Sequence, residues 1–134
     1  MTIQDVVIIG AGASGSTAAY HLAKAGRLVT LLEKNNSNAI KYCGGGISAS
    51  VQKIFPFDLK PAIEETVNTV EFTWNLIDNV QAKLPGAEPF WIVRREKLDE
   101  LIISKAIALG VKIIQPFLVS NLKREGKYWV ITSN

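Results

Sequence analysis

The hexapeptide Gly10-Ala11-Gly12-Ala13-Ser14-Gly15 constrains this chain more than any other stretch. It follows Asp5 to Ile9, a run that is apolar and β-branched from Val6 onward and reads as a strand buried on both faces of a parallel sheet. It leads into Ser14 to Ala25, where Ala18, Ala19, Leu22 and Ala23 recur at helical spacing and Gly26 supplies a stop. A second buried strand, Leu28 to Leu32, ends at Glu33. Strand, helix and strand within about thirty residues predict one βαβ unit with a right-handed crossover.

The pattern G-x-G-x-x-G is weak evidence alone, because glycines punctuate many turns. In this context each glycine has a task. The first permits the tight strand-to-helix turn, the second lets the backbone approach a pyrophosphate, and the third lets the helix pack closely on the strand. Gly10, Ala11, Gly12, Ala13, Ser14 and Gly15 are therefore candidate cofactor-binding residues, with the helix N-terminus offering N–H groups to phosphates. Glu33 is positioned to accept hydrogen bonds from the adenosine ribose hydroxyls, and its charge disfavours a 2′-phosphate. NAD and FAD share the ADP moiety, and these residues do not separate them. The competing reading is an incidental glycine turn with a solvated glutamate.

The rest of the chain adds a polar, glycine-rich stretch from Asn35 to Ser50, read as a long loop centred on Cys43-Gly44-Gly45-Gly46. Two strands are expected within Thr66 to Leu84, with a turn at Pro85-Gly86. Arg95 to Leu109 reads as an amphipathic helix stopped by Gly110, and Val111 to Gln115 as the third parallel strand. Phe117 to Arg124 and Lys127 to Thr132 flank Glu125-Gly126, a hairpin turn. The expected class is α/β, a Rossmann-like half with a parallel sheet, a few antiparallel strands and a β-meander hairpin. The expected domains are a Rossmann-like unit over 1–65 and 86–134, and partial substrate-domain strands over 66–85.

With 134 residues, 48% apolar and 20% charged, the chain has the composition of an ordinary globular domain. Its net charge of +3 is scattered rather than gathered into a basic tract, which argues against nucleic acid. One cysteine and one histidine, Cys43 and His21, cannot assemble a usual metal site. The apolar runs are far shorter than a membrane span and no basic leader precedes the first strand, so a cytoplasmic location is expected. His21 reads as a packed or half-exposed helix residue rather than a base, and Trp74, Trp91 and Trp129 as core or meander residues, the first two with a lesser chance of lining an apolar cavity.

The stretch Val7 to Gly15 with Ala19, Leu22, Gly26, Val29 and Glu33 resembles the extended signature of the glutathione-reductase-type FAD-binding fold. Lys41-Tyr42-Cys43-Gly44-Gly45-Gly46 and Arg95-Glu96-Lys97-Leu98-Asp99 resemble, more narrowly, the geranylgeranyl reductase family. Tyr42 stands where that family commonly has proline, and Leu98 where it has phenylalanine. The resemblance implies FAD as cofactor and places Cys43, Gly44 and Gly45 beside the flavin ring, against the alternative of a flexible linker with a small buried cysteine. It implies that Arg95 approaches the FAD phosphates or ribityl chain, against a solvated helix start. Lys34 would lie along the adenosine and Val119 would bring strand backbone to the adenine edge.

For a complete protein the resemblance implies reduction of a carbon–carbon double bond in an isoprenoid, with transient membrane contact through that lipid. A flavin monooxygenase-type enzyme and a non-catalytic dinucleotide-binding or interaction module are the alternatives. No catalytic acid is identifiable. The resemblance covers the N-terminal part of such proteins, so a fragment or truncated product is expected, inactive alone and with weakened or lost FAD binding.

Overall fold

The structure is a computed structural model, and it describes residues 3–36, 42–87 and 89–133. The chain divides into two compact units, 1–41 with 99–134 and 42–98. The sequence reading set 66–85 apart from its flanks. The contacts instead group 42–65 and 86–98 with it, because strands from both flanks pair with each other.

In the first unit, β1 (Val6–Ile9), α1 (Ala13–Lys24) and β2 (Val29–Leu32) form the expected βαβ unit. β1 and β2 run parallel, with Val6 opposite Val29 and Ile9 opposite Leu32. The third parallel strand (Lys112–Ile114) joins the other edge of β2, pairing Thr30 with Lys112 and Leu32 with Ile114. β2 is consequently central and all four of its residues are buried. β1 departs from the expectation of burial on both faces: Val7 is 38% and Ile9 52% exposed. The cause is one-sided cover. α1 covers the face carrying Ile8, whose Cγ2 lies within 3.4 Å of where a Gly15 Cβ would stand, and the alternate residues point the other way.

Leu31, Val29 and Ser16 are fully buried in this unit, as are Ile102 and Ala106 of the second long helix. A hairpin (Val119–Glu125 with Tyr128–Ser133) follows the third strand. Its loop is Gly126-Lys127, one residue later than expected, since Glu125 pairs with Tyr128. Glycine at the first loop position, with φ +61°, suits a type II′ turn. Trp129 is exposed on this hairpin.

In the second unit, residues expected to be loop supply a strand: Gly46–Ser48 pairs antiparallel with Phe90–Val93, whose other edge takes Ile63–Val67. Two short 3₁₀ helices, Ala49–Ile54 and Lys60–Ala62, link the outer strands. Gln52 knits this link together, donating to the carbonyls of Phe55 and Phe57 and accepting from the Leu59 N–H. Trp91 and Val93 are buried, as are Phe55 and Leu59. The two strands expected within 66–84 are Thr69–Trp74 and Ile77–Lys83. Their cross-strand pairs Phe72–Val80 and Trp74–Ile77 are apolar and exposed, whereas the opposite face carries Glu71, which accepts a hydrogen bond from Asn79. A bulge with Asp78 at φ +56° restores the apolar register at Ile77.

The long helix Arg95–Ala108, α2, agrees with expectation to within a residue. At its start Glu64 pairs with Arg94 at 2.9 Å and Lys97 at 3.5 Å, both on exposed surface and worth little to stability. Among the described residues no helix is long and apolar enough to cross a membrane, and no group of side chains could hold a metal ion.

Gly45 has a structural task that the sequence did not reveal. Its φ is +72°, and a Cβ there would collide with the Val93 carbonyl, while the Gly45 carbonyl accepts the Val93 N–H at 2.9 Å. Gly45→Ala is expected to destabilise the second unit by about 2 kcal/mol or more, combining left-handed strain with overpacking. Thermal denaturation checks this, and an unchanged midpoint would contradict it.

Candidate functional site

The site grows from the ends of β1 and β2. Parallel strands leave their carboxyl ends open to ligands, and here those ends carry Gly10 and Glu33. Gly10 has φ +99°, the conformation that lets the chain turn from β1 into α1. Gly15 carries no Cβ because one would penetrate the Gly10 carbonyl oxygen, so its absence sets the close approach of α1 to β1. Gly12 differs from both. Its φ is −72° and a Cβ there would meet nothing within 4 Å, so the fold itself does not require glycine at this position.

Gly12 is the N-cap of α1, offers no side-chain acceptor, and no acid occupies the first turn. The amides of the first turn are those that an α-helix cannot bond internally. Together with the open space beside Gly12, they form a cradle whose chemistry fits a pyrophosphate.

Glu33 is held from several sides. Its backbone N–H donates to the Ile114 carbonyl at 3.0 Å and its carbonyl accepts from the Phe117 N–H at 2.7 Å. Its carboxylate accepts the Ala11 N–H on Oε2 at 2.7 Å and the Asn35 N–H on Oε1 at 2.9 Å. A carboxylate offers about four lone-pair directions, so it can take ribose hydroxyls in addition to these backbone donors.

Ile9, Gly10, Leu32, Glu33, Lys34, Phe117, Leu118 and Val119 line a cleft of about 150 Å³. Four expected site residues, Gly10, Glu33, Lys34 and Val119, thus meet in one place, with an acid, a base and apolar walls suited to a nucleoside. Ala11, Gly12, Ala13, Ser14 and Gly15 continue from Gly10 into α1. Phe117 and Leu118 were missed by the sequence reading. The available signal was their position directly after the third parallel strand, at the same sheet end as Glu33.

Cys43, Gly44, Gly45 and Arg95 belong to the second unit. Cys43 is exposed and its Sγ accepts the Gly45 N–H at 3.4 Å. Gly44 lies in open space, whereas Gly46 is pressed against Phe90, whose Cζ would be 2.9 Å from a Cβ. Lys41, the first residue of this loop motif, lies outside the described residues. His21 is exposed on α1 and meets Tyr20 edge-on at 5.2 Å.

Comparison with known proteins extends this geometry. The chain is 33% identical over 127 residues to digeranylgeranylglycerophospholipid reductase 2 of Methanothermobacter thermautotrophicus, an alignment covering 91% of this chain and 32% of that protein. A geranylgeranyl bacteriochlorophyll reductase-like protein from Thermoplasma acidophilum superposes with a TM-score of 0.81 at 19% identity, over 97% of this chain and 36% of that one. The myxobacterial chondrochloren halogenase, a FAD-dependent halogenase, superposes with a TM-score of 0.79 at 19% identity, over 99% of this chain and 36% of that one. The chain therefore spans about a third of the length of each of these proteins. Residues 5–83, more than half of the chain and including the glycine-rich turn and Glu33, match the family described as FAD dependent oxidoreductase, and the chain belongs to that family.

Proposed function

We propose that this chain binds the ADP half of FAD in the cleft between Gly10, Glu33 and Val119, as the nucleotide-binding part of an FAD-dependent oxidoreductase acting on an isoprenoid double bond. The observation that carries the binding assignment is the convergence of the Glu33 carboxylate, the uncapped N-terminus of α1 and the open space at Gly12 on one sheet end. In this reading the amides from Gly12 to Gly15 hold the pyrophosphate, Glu33 accepts the ribose hydroxyls, and Lys34 and Val119 flank the adenosine. Phe117 and Leu118 shield the adenine from water.

The flavin, when bound, supplies hydride chemistry, while the protein supplies binding, orientation and electrostatics. Cys43, Gly44 and Gly45 are candidates for the isoalloxazine environment and Arg95 for the phosphates or ribityl chain through the resemblance of their motifs to geranylgeranyl reductases alone. The isoprenoid substrate class is supported by the resemblance of the Cys43 loop to geranylgeranyl reductases and by the 33% identity to an archaeal digeranylgeranylglycerophospholipid reductase. The TM-score of the FAD-dependent halogenase, close to that of the reductase-like protein, supports a second reading as a monooxygenase-type flavin enzyme. Rapid reaction of the reduced flavin with oxygen would favour that reading, and turnover of an isoprenoid alkene the first.

Binding is tested by mixing the purified chain with FAD, removing free cofactor and recording the visible spectrum. A retained flavin band would support FAD binding outright; a folded but colourless chain that still binds ADP keeps the nucleotide assignment, and a folded chain that binds neither contradicts it. Glu33→Arg is expected to weaken ADP binding at least tenfold, since it removes a charged hydrogen-bond acceptor worth about 1.5–3 kcal/mol. Isothermal titration calorimetry with ADP checks this, and an unchanged affinity would overturn the ribose role.

A further inference from the structure

We infer that Glu33 is also a positioning residue: its carboxylate clamps the glycine-rich turn to the segment that follows β2. Ala11 is 2% exposed and lies in the turn between β1 and α1. A buried backbone N–H without an acceptor is costly, so its partner helps determine the conformation. That partner is Glu33 Oε2 at 2.7 Å, reached across 22 positions of sequence.

The Ala11 carbonyl is taken by the fully buried Ser16 hydroxyl at 3.0 Å, so both backbone polar groups of this residue are held by side chains. Glu33 is itself fixed through its backbone by Ile114 and Phe117, and its other oxygen holds the Asn35 amide. One side chain thus ties the β1–α1 turn to the segment after β2, on a main chain anchored to the third strand. An acid able to accept ribose hydroxyls would need no such contacts for that purpose alone.

The consequence for affinity rests on the proposed ADP site, but the clamp does not. Both are tested by amide hydrogen exchange, read by NMR on the nucleotide-free chain, for wild type, Glu33→Ala and Glu33→Gln, with ADP titrated in parallel. In Glu33→Ala the Ala11 and Asn35 amides are expected to exchange at least about tenfold faster, the scale of one lost charge-assisted hydrogen bond, while the Ile8 and Leu31 amides keep their protection. Glu33→Gln retains one carbonyl oxygen and presents an NH₂ in place of the other, so at least one of the two amides should accelerate. This variant carries the test if Glu33→Ala does not fold.

Wild-type exchange at both amides in a folded variant would overturn the clamp, whatever happens to ADP binding. Accelerated exchange with unchanged ADP affinity would support the clamp and overturn the ribose assignment. Unchanged exchange with lost affinity would do the reverse.

Discussion

Gly15→Ala is expected to lower the melting temperature of the protein by roughly 10 °C, corresponding to about 2–3 kcal/mol of lost stability. The substituted Cβ would enter the van der Waals shell of the Gly10 carbonyl oxygen. That oxygen belongs to backbone and cannot swing aside as a flexible side chain would. Relief requires α1 to move off β1, which opens the contact with Ile8 and disturbs the helix that carries buried Ala19 and Tyr20. Protein stability is commonly only 5–15 kcal/mol, so this one methyl group removes a substantial share of it. Circular dichroism melting of the two proteins side by side measures the effect, and equal midpoints would show that helix and strand are not in the described contact.

Gly12→Val is expected to differ, lowering the melting temperature by only a few degrees while reducing ADP affinity by a hundredfold or more. At φ −72° with no neighbour within 4 Å a Cβ meets no clash, and the remaining cost is that of a poorer N-cap residue, on the order of 1 kcal/mol. The same empty space is where a pyrophosphate must approach the amides of α1, and a branched side chain would fill it. Loss of two or more phosphate hydrogen bonds of about 1.5–3 kcal/mol each sets the magnitude. Calorimetric titration with ADP combined with thermal melting reads both quantities. Retained affinity would mean that the phosphates lie elsewhere, whereas a large fall in melting temperature would mean that Gly12 serves the fold.

These two glycines show where sequence was informative and where it was not. The spacing of Gly10, Gly12 and Gly15 between an apolar run and a helical pattern is a local signal, and the predicted βαβ unit formed with boundaries shifted by a residue. The third parallel strand was legible for a similar reason, since Gly110 separates a helical period from a buried run. The strand Gly46–Ser48 was not, because two of its residues have no apolar side chain and its partner, Phe90–Val93, is remote in sequence. Its glycine answers to the Phe90 ring, a contact that no local pattern encodes.

The same division runs through the site. Glu33 could be placed at the strand end from its position, but its bond to Ala11 follows from side-chain direction at two distant points. Phe117 and Leu118 entered the cleft because the Phe117 amide is tied to the Glu33 carbonyl, which is a tertiary fact. The solvated face of β1 follows from what covers each side of the sheet, whereas a run of β-branched residues reads alike in a covered and a half-covered strand.

NMR titration of the chain with ADP, 5′-AMP and 2′,5′-ADP tests most directly whether the sheet end carrying Gly10 and Glu33 binds the ADP moiety. ADP is expected to shift the amides of Gly12 to Gly15, Lys34 and Val119 in a saturable manner, and 2′,5′-ADP to bind at least tenfold more weakly than 5′-AMP, from which it differs only by the 2′-phosphate that would face the Glu33 carboxylate. Saturable shifts confined to residues outside this set, or no shifts at millimolar ADP, would contradict the account.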